Sequence, residues 1–112
     1  MKCLIVTLAV LLTGCDFGLK EDLNITKAEL FITRYENTGK VDTLMLNHAN
    51  ADAFEVNRDH YLFVVNSFNG DFNGWVYSKN AASIPRSLKF QQFIIKQHDP
   101  TKGNWTKVYG KW

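Results

Sequence analysis

Tyr61-Leu62-Phe63-Val64-Val65-Asn66-Ser67-Phe68-Asn69-Gly70-Asp71-Phe72-Asn73-Gly74-Trp75-Val76-Tyr77 carries the strongest structural signal in the chain. It opens with an unbroken apolar run, Tyr61 to Val65, of the kind that marks a buried strand. Two Phe-Asn-Gly units follow, Phe68-Asn69-Gly70 and Phe72-Asn73-Gly74. Asn-Gly is the strongest short hairpin-turn pair, because both residues tolerate the positive φ that a tight turn demands. Trp75-Val76-Tyr77 then restarts a strand. An antiparallel hairpin is expected here.

Working outward toward the N-terminus, Ile25 to Tyr35 is rich in β-branched and aromatic residues, with Ala28, Leu30 and Ile32 on one parity. Asn37-Thr38-Gly39-Lys40 reads as a turn and Val41 to Leu46 as a returning strand, giving a first hairpin. His48 to Ala53 is a loop and Phe54-Glu55-Val56 a short strand. Toward the C-terminus, Ala81 to Arg86 is a connection interrupted by Pro85. Leu88 to Gln97 reads as strand, although Phe90, Phe93, Ile94 and Gln97 also fit a helix with Ser83 as its N-cap. Asp99-Pro100-Thr101-Lys102-Gly103 supplies a turn with glycine at the left-handed position. In the last segment Trp105, Lys107, Tyr109 and Lys111 share one strand face, with Thr106, Val108 and Trp112 on the other. The expected fold is mainly β, a small antiparallel sandwich or barrel of about six to seven strands. The alternative is an α+β fold with a helix near 84–97.

Charge is unevenly distributed. Residues 15–71 carry ten acids against five bases, whereas residues 72–112 carry seven bases and the single acid Asp99. Two consequences are open: a basic surface that meets anionic headgroups or an acidic partner, or acidic and basic strands that neutralise each other within one sheet. The pairing reading is favoured, because sheets commonly set opposite charges across from each other.

The first fifteen residues have a separate logic. Lys2 precedes the apolar run Cys3 to Leu12, and Leu12-Thr13-Gly14-Cys15 follows. A positive start, a short apolar region and small residues at the cut read as an export signal. The run is too short to span a bilayer, which takes roughly 20 apolar residues. Cysteine directly after Leu-Thr-Gly resembles the lipobox of bacterial lipoproteins, and the resemblance covers residues 1–15 alone. It implies that signal peptide 1–14 is removed, that Cys15 receives a diacylglycerol thioether and that its new amine is acylated, commonly with palmitate. A single acyl chain gives marginal membrane binding, whereas two or three hold a protein stably. Asp16 resembles the signal that retains such proteins in the inner membrane of enteric-type bacteria. The expected location is therefore the cell envelope, lipid-anchored, with the inner membrane facing the periplasm favoured over the outer membrane. Residues 15–24 read as lipidated cysteine and tether, and residues 25–112 as one β-rich domain. Nine tether residues after Cys15 reach at most about 30 Å, which keeps the domain near the bilayer. Cys3 leaves with the signal and Cys15 carries lipid, so no thiol remains for a disulfide. Packing must hold the fold, and aromatic residues make up 13% of the chain to do so.

The sequence offers little catalytic chemistry. Asn69-Gly70-Asp71-Phe72-Asn73-Gly74 matches the start of a calcium loop, but calcium takes six to eight oxygens, commonly with a glutamate at the twelfth position. That position is Asn80. His48, His60 and His98 are isolated. Asp59-His60 and His98-Asp99 are adjacent pairs whose members point to opposite faces of a strand. Ser67, Ser78, Ser83 and Ser87 lack a nucleophile-elbow setting, and no phosphate loop or dinucleotide fingerprint occurs. No cofactor, no metal, no enzymatic activity and no nucleic-acid partner are expected. The candidate binding surface is Trp105, Lys107, Tyr109 and Lys111, joined by Trp75 and Tyr77, since Trp and Tyr bury large area at low entropic cost. The opposing reading places this face against the core, with the lysine stems reaching past its edge. The expected role is to bind a protein partner at the envelope, as a complex subunit or as an inhibitor, immunity or exclusion factor. The alternative is a ligand module for sugar, peptidoglycan or anionic lipid headgroups.

Overall fold

The structure, a computed structural model, describes residues 21–81, 84–85 and 88–112. The signal peptide, Cys15 and Asp16 lie outside the described residues, as do Ser83, Arg86 and Ser87. Helices α1 (Ile25–Thr38) and α2 (Thr43–His48) come first. Strands β1 (Ala53–Asn57), β2 (His60–Phe68), β3 (Asp71–Ser78), β4 (Ile94–His98) and β5 (Trp105–Lys111) follow. A short 3₁₀ turn, Lys79–Ala81, leaves β3. The five strands form one antiparallel sheet in the order β1-β2-β3-β5-β4. The fold is mainly β, as expected.

The decisive hairpin forms as read. Phe68 pairs with Asp71 across Asn69 and Gly70, whose φ values of 53° and 84° are those of a type I′ turn. The second Asn-Gly is different: Asn73 and Gly74 lie inside β3. Between β4 and β5 the turn tip is Gly103-Asn104, with Lys102 and Trp105 paired across it.

The first expected hairpin is replaced by the two helices. In α1 the buried positions are Ala28, Phe31 and Ile32, with Tyr35 half-buried, the three-and-four spacing of a helix face. Leu30, on the parity read as a strand face, is 58% exposed. Asn24 caps α1 by accepting the Lys27 N–H at 3.0 Å, and Asp42 caps α2 by accepting the Met45 N–H at 3.1 Å. Each cap satisfies one of the N–H groups that a helix start leaves open. The β-branched content misled here because tertiary packing overrides strand propensity. Packing also starts earlier than a tether to Asn24 implies, since Leu23 is buried among the core residues.

The sheet has two covered faces. On one, Tyr61, Phe63, Val65 and Trp105 pack against Phe31, Ile32, Leu46 and Ala28 of the helices, with Trp75, Tyr77 and Phe54 at the margin. On the other, Leu62, Val64, Phe72, Val76 and Val108 pack against Leu88, Phe90, Phe93 and Ile95. A second sheet is not needed. The segment before β4 folds back on itself, with Lys89 bridged to Ile94 and the Phe90 N–H on the Phe93 carbonyl at 2.8 Å. It also reaches β1: the Asn57 side-chain amide donates to the Lys89 carbonyl at 2.7 Å, and the Gln92 N–H donates to Glu55 Oε1 at 3.1 Å. The segment before β4 is thus tied to edge strand β1 by side-chain bonds rather than by a ladder, and the antiparallel strands described form one sheet of five. The described residues of 84–97 contain strand and turn, and no helix.

Candidate functional site

The four residues of the expected stripe do share one face, since they oppose Tyr77, Trp75, Asn73 and Asp71 of β3 in register. The helices divide that face. Trp105 is only 8% exposed, with its indole Nε1 donating to Glu29 Oε2 at 3.0 Å and its ring 5.1 Å from Tyr77. Both aromatics belong to the helix-covered core. Trp75 and Lys107 sit at the boundary: the Trp75 indole and the Lys107 ammonium both donate to Asp22 Oδ1, at 2.9 and 3.1 Å. The ammonium also stands 5.3 Å over the Trp75 ring. Tyr109 and Lys111 lie beyond the helices. The Tyr109 hydroxyl donates to Asp99 Oδ2, and Lys111 pairs with Asp71. The stripe is therefore part core and part open surface.

Burial alone would raise the Asp22 pKa, but the Trp75 indole, the Leu23 N–H and Lys107 outweigh it and hold the carboxyl below its ordinary value. A carboxylate with a depressed folded pKa adds stability that is present above its unfolded value of about 4 and fades as pH falls through the folded one. Asp22→Asn is expected to lose stability at neutral pH and to show a shallower decline below about pH 4. Urea midpoints across the acid range check this, and an unchanged acid slope would contradict it.

The helix-free end of this face is an open depression of about 440 Å³, walled by Asn66, Phe68, Asn73, Lys96, Gln97, Tyr109 and Lys111 among others. Two β-bulges build it. In β2 the register slips between Val64 and Asn66, and in β4 between Ile95 and Gln97. A bulge places one extra residue in a strand and shifts the alternation of every side chain beyond it. Val65 packs toward the helices, yet Asn66 opposes Asn73 and Phe68 opposes Asp71, so both stay on the same face. Likewise Gln97 opposes Tyr109, and the extra residue Lys96 joins it at the depression.

Each bulge lies opposite a glycine. A Cβ at Gly74 would fall inside contact distance of the Phe63 carbonyl, and one at Gly110 would strike the Ile94 carbonyl and the Phe72 ring. Glycine within a strand marks such a close approach of backbones. That was the signal available in the sequence for a site that the stripe only partly captured. Among the described residues, the side-chain amides of Asn66, Asn73 and Gln97 take no partner, and no carboxylate comes within ion-pair distance of Lys96. Phe68 is 76% exposed and Trp112 59%, both beside the Asn69-Gly70 turn, where the Trp112 N–H bonds the Gly70 carbonyl.

The charge imbalance is absorbed in part inside the fold. Lys79 meets Glu36 at 3.2 Å, Lys107 meets Asp22 and Lys111 meets Asp71, each pairing the basic part of the chain with the acidic part. Bonds from the Tyr61 hydroxyl and Lys79 hold the Glu36 carboxyl below its ordinary value, and burial with the Glu36 contact pushes the Tyr61 phenol up.

The histidines remain separate. His48 and His98 are exposed. His60 is buried with Nδ1 3.0 Å from Ser78 Oγ, and burial pushes its pKa down against the pull of Asp59. That contact resembles a nucleophile and its base, but Ser78 is 1% exposed, so no substrate reaches its hydroxyl. The nearby cleft of about 490 Å³ is lined by Arg58, Asp59, His60, Pro85 and Lys89 among others. The calcium-like hexapeptide divides between a tight turn and a strand, with its carboxylate on Lys111. Among the described residues no group of three His, Cys, Asp or Glu side chains is placed to hold a metal, and no helix is long and apolar enough to cross a membrane. Compared with the models of known protein families, with curated proteins and with solved structures, the chain matches none.

Proposed function

We propose that this chain is a bacterial envelope lipoprotein, anchored through Cys15, whose β-domain binds a protein partner with the helix-free end of its sheet. The observation that carries the reading is the pair of bulges that turn polar side chains toward one depression. Bulges are over-represented beside functional sites, where they re-aim side chains. One large aromatic, Phe68, lines that depression and is 76% exposed, and exposed aromatic side chains are the kind of anchor that dominates protein interfaces. The role is recognition rather than catalysis. A second reading, a glycan ligand, is favoured by the three amides that take no partner among the described residues, since amides both donate and accept as hydroxyl-rich molecules require.

Crosslinking pulldown of the lipidated protein from its native envelope tests the reading. Phe68→Ala is expected to reduce partner capture by roughly tenfold or more while leaving the far-UV circular dichroism unchanged, since its side chain is largely in solvent. Undiminished capture would overturn the surface. Cys15→Ser is expected to move the protein from the membrane to the soluble fraction, and its retention in membranes would overturn the anchor.

A further inference from the structure

The depression has a charge character that the pairing pattern isolates. Its carboxylate, Asp71, is engaged by Lys111, and the Tyr109 hydroxyl is engaged by Asp99. Among the described residues Lys96 has no acid within ion-pair distance, and the β4 bulge delivers it to the depression that Asn66, Asn73 and Gln97 also line. An ammonium beside N–H donors is the chemistry that receives a carboxylate, because charge-assisted hydrogen bonds are about twice as strong as neutral ones. The site is an open depression whose lining includes Phe68, Phe72 and Gly110. A side chain projecting from a peptide fits such a depression. Amides also match the alternating N–H and C=O groups of an extended backbone.

We infer that the depression binds an acidic peptide segment of the partner, with Lys96 receiving its carboxylate and Asn66, Asn73 and Gln97 hydrogen-bonding the segment. This rests on the protein-partner reading above. Among the described C-terminal cations that take no acid, Lys96 is the one placed at this depression.

The test uses the full-length lipidated protein in nanodiscs of zwitterionic lipid, with fluorescein-labelled hexaglutamate as probe and hexaglutamine as control. Hexaglutamate is expected to bind and hexaglutamine to fail, with binding weakened on raising salt from about 0.05 to 0.3 M. The side-chain amide NMR signals of Asn66, Asn73 and Gln97 shift on binding. Lys96→Glu lowers the affinity roughly tenfold or more, and Lys96→Arg retains it. Equal binding by Lys96→Glu would overturn the inference, leaving Lys96 as protection of an edge strand. So would binding of phosphatidylglycerol vesicles or muropeptides in place of hexaglutamate. If hexaglutamate fails while Phe68→Ala still reduces capture, the acidic class falls and the partner reading stands. If hexaglutamate binds while Phe68→Ala captures normally, the partner surface proposed above falls.

Discussion

Gly110→Ala lowers the stability of the domain by about 3 kcal/mol or more, at the upper end of what overpacking costs. The added methyl meets the Ile94 carbonyl and the Phe72 ring inside contact distance. A carbonyl within a ladder cannot move aside as the far end of a flexible side chain does. Strand β4 must therefore shift away from β5, and β4 is an edge strand whose sheet partner is β5 alone. The effect reaches function through geometry, since the bulge that places Lys96 and Gln97 lies at this approach. Gly74→Ala is opposed in the same way by the Phe63 carbonyl on the other side of the site. Urea unfolding measures the change for Gly110→Ala, and a loss below about 1 kcal/mol would mean that the bulge does not depend on glycine.

Phe63→Ala carries a comparable cost, about 3–5 kcal/mol, against a total of roughly 5–15 kcal/mol for a domain. Phe63 is fully buried, and its ring lies 5.7 Å from Phe31, 5.1 Å from Phe54 and 5.7 Å from Trp105. It joins α1 to β1, β2 and β5 at one point. Edge-to-face and tilted aromatic contacts add to the burial itself, and the cavity left by alanine collapses poorly between a helix and a rigid sheet. A fall in the urea midpoint with an unchanged slope is expected. A loss below about 1 kcal/mol would contradict the view that aromatic packing holds this domain.

The parts of the fold that were legible in the sequence are those governed by local chemistry. Asn69-Gly70 demanded a type I′ turn, the run Tyr61 to Val65 demanded a buried strand, and the alternation from Trp105 to Lys111 placed its residues on one face. Ile25 to Tyr35 failed because its strand-like composition is outweighed by the spacing of Ala28, Phe31, Ile32 and Tyr35, which only burial reveals. The candidate stripe was half legible. Its shared face follows from period-two alternation, but the point where α1 stops covering it is a long-range fact. Trp105 consequently lies in the core, while Tyr109 and Lys111 line the open end. Asn66, Phe68, Lys96 and Gln97 were missed because two register slips change which way they face. Gly74 and Gly110 carried the hint, but Asn73-Gly74 also reads as a turn, and the competing turn signal won.

Site-specific photo-crosslinking in the native envelope tests the central claim most directly. A photoreactive residue in place of Asn73, in the wall of the depression, is compared with one in place of Leu30, on the exposed side of α1. A discrete protein adduct from position 73 and none from position 30 is the predicted result. An adduct from position 30 with none from position 73 would contradict the account and move recognition to the helical face.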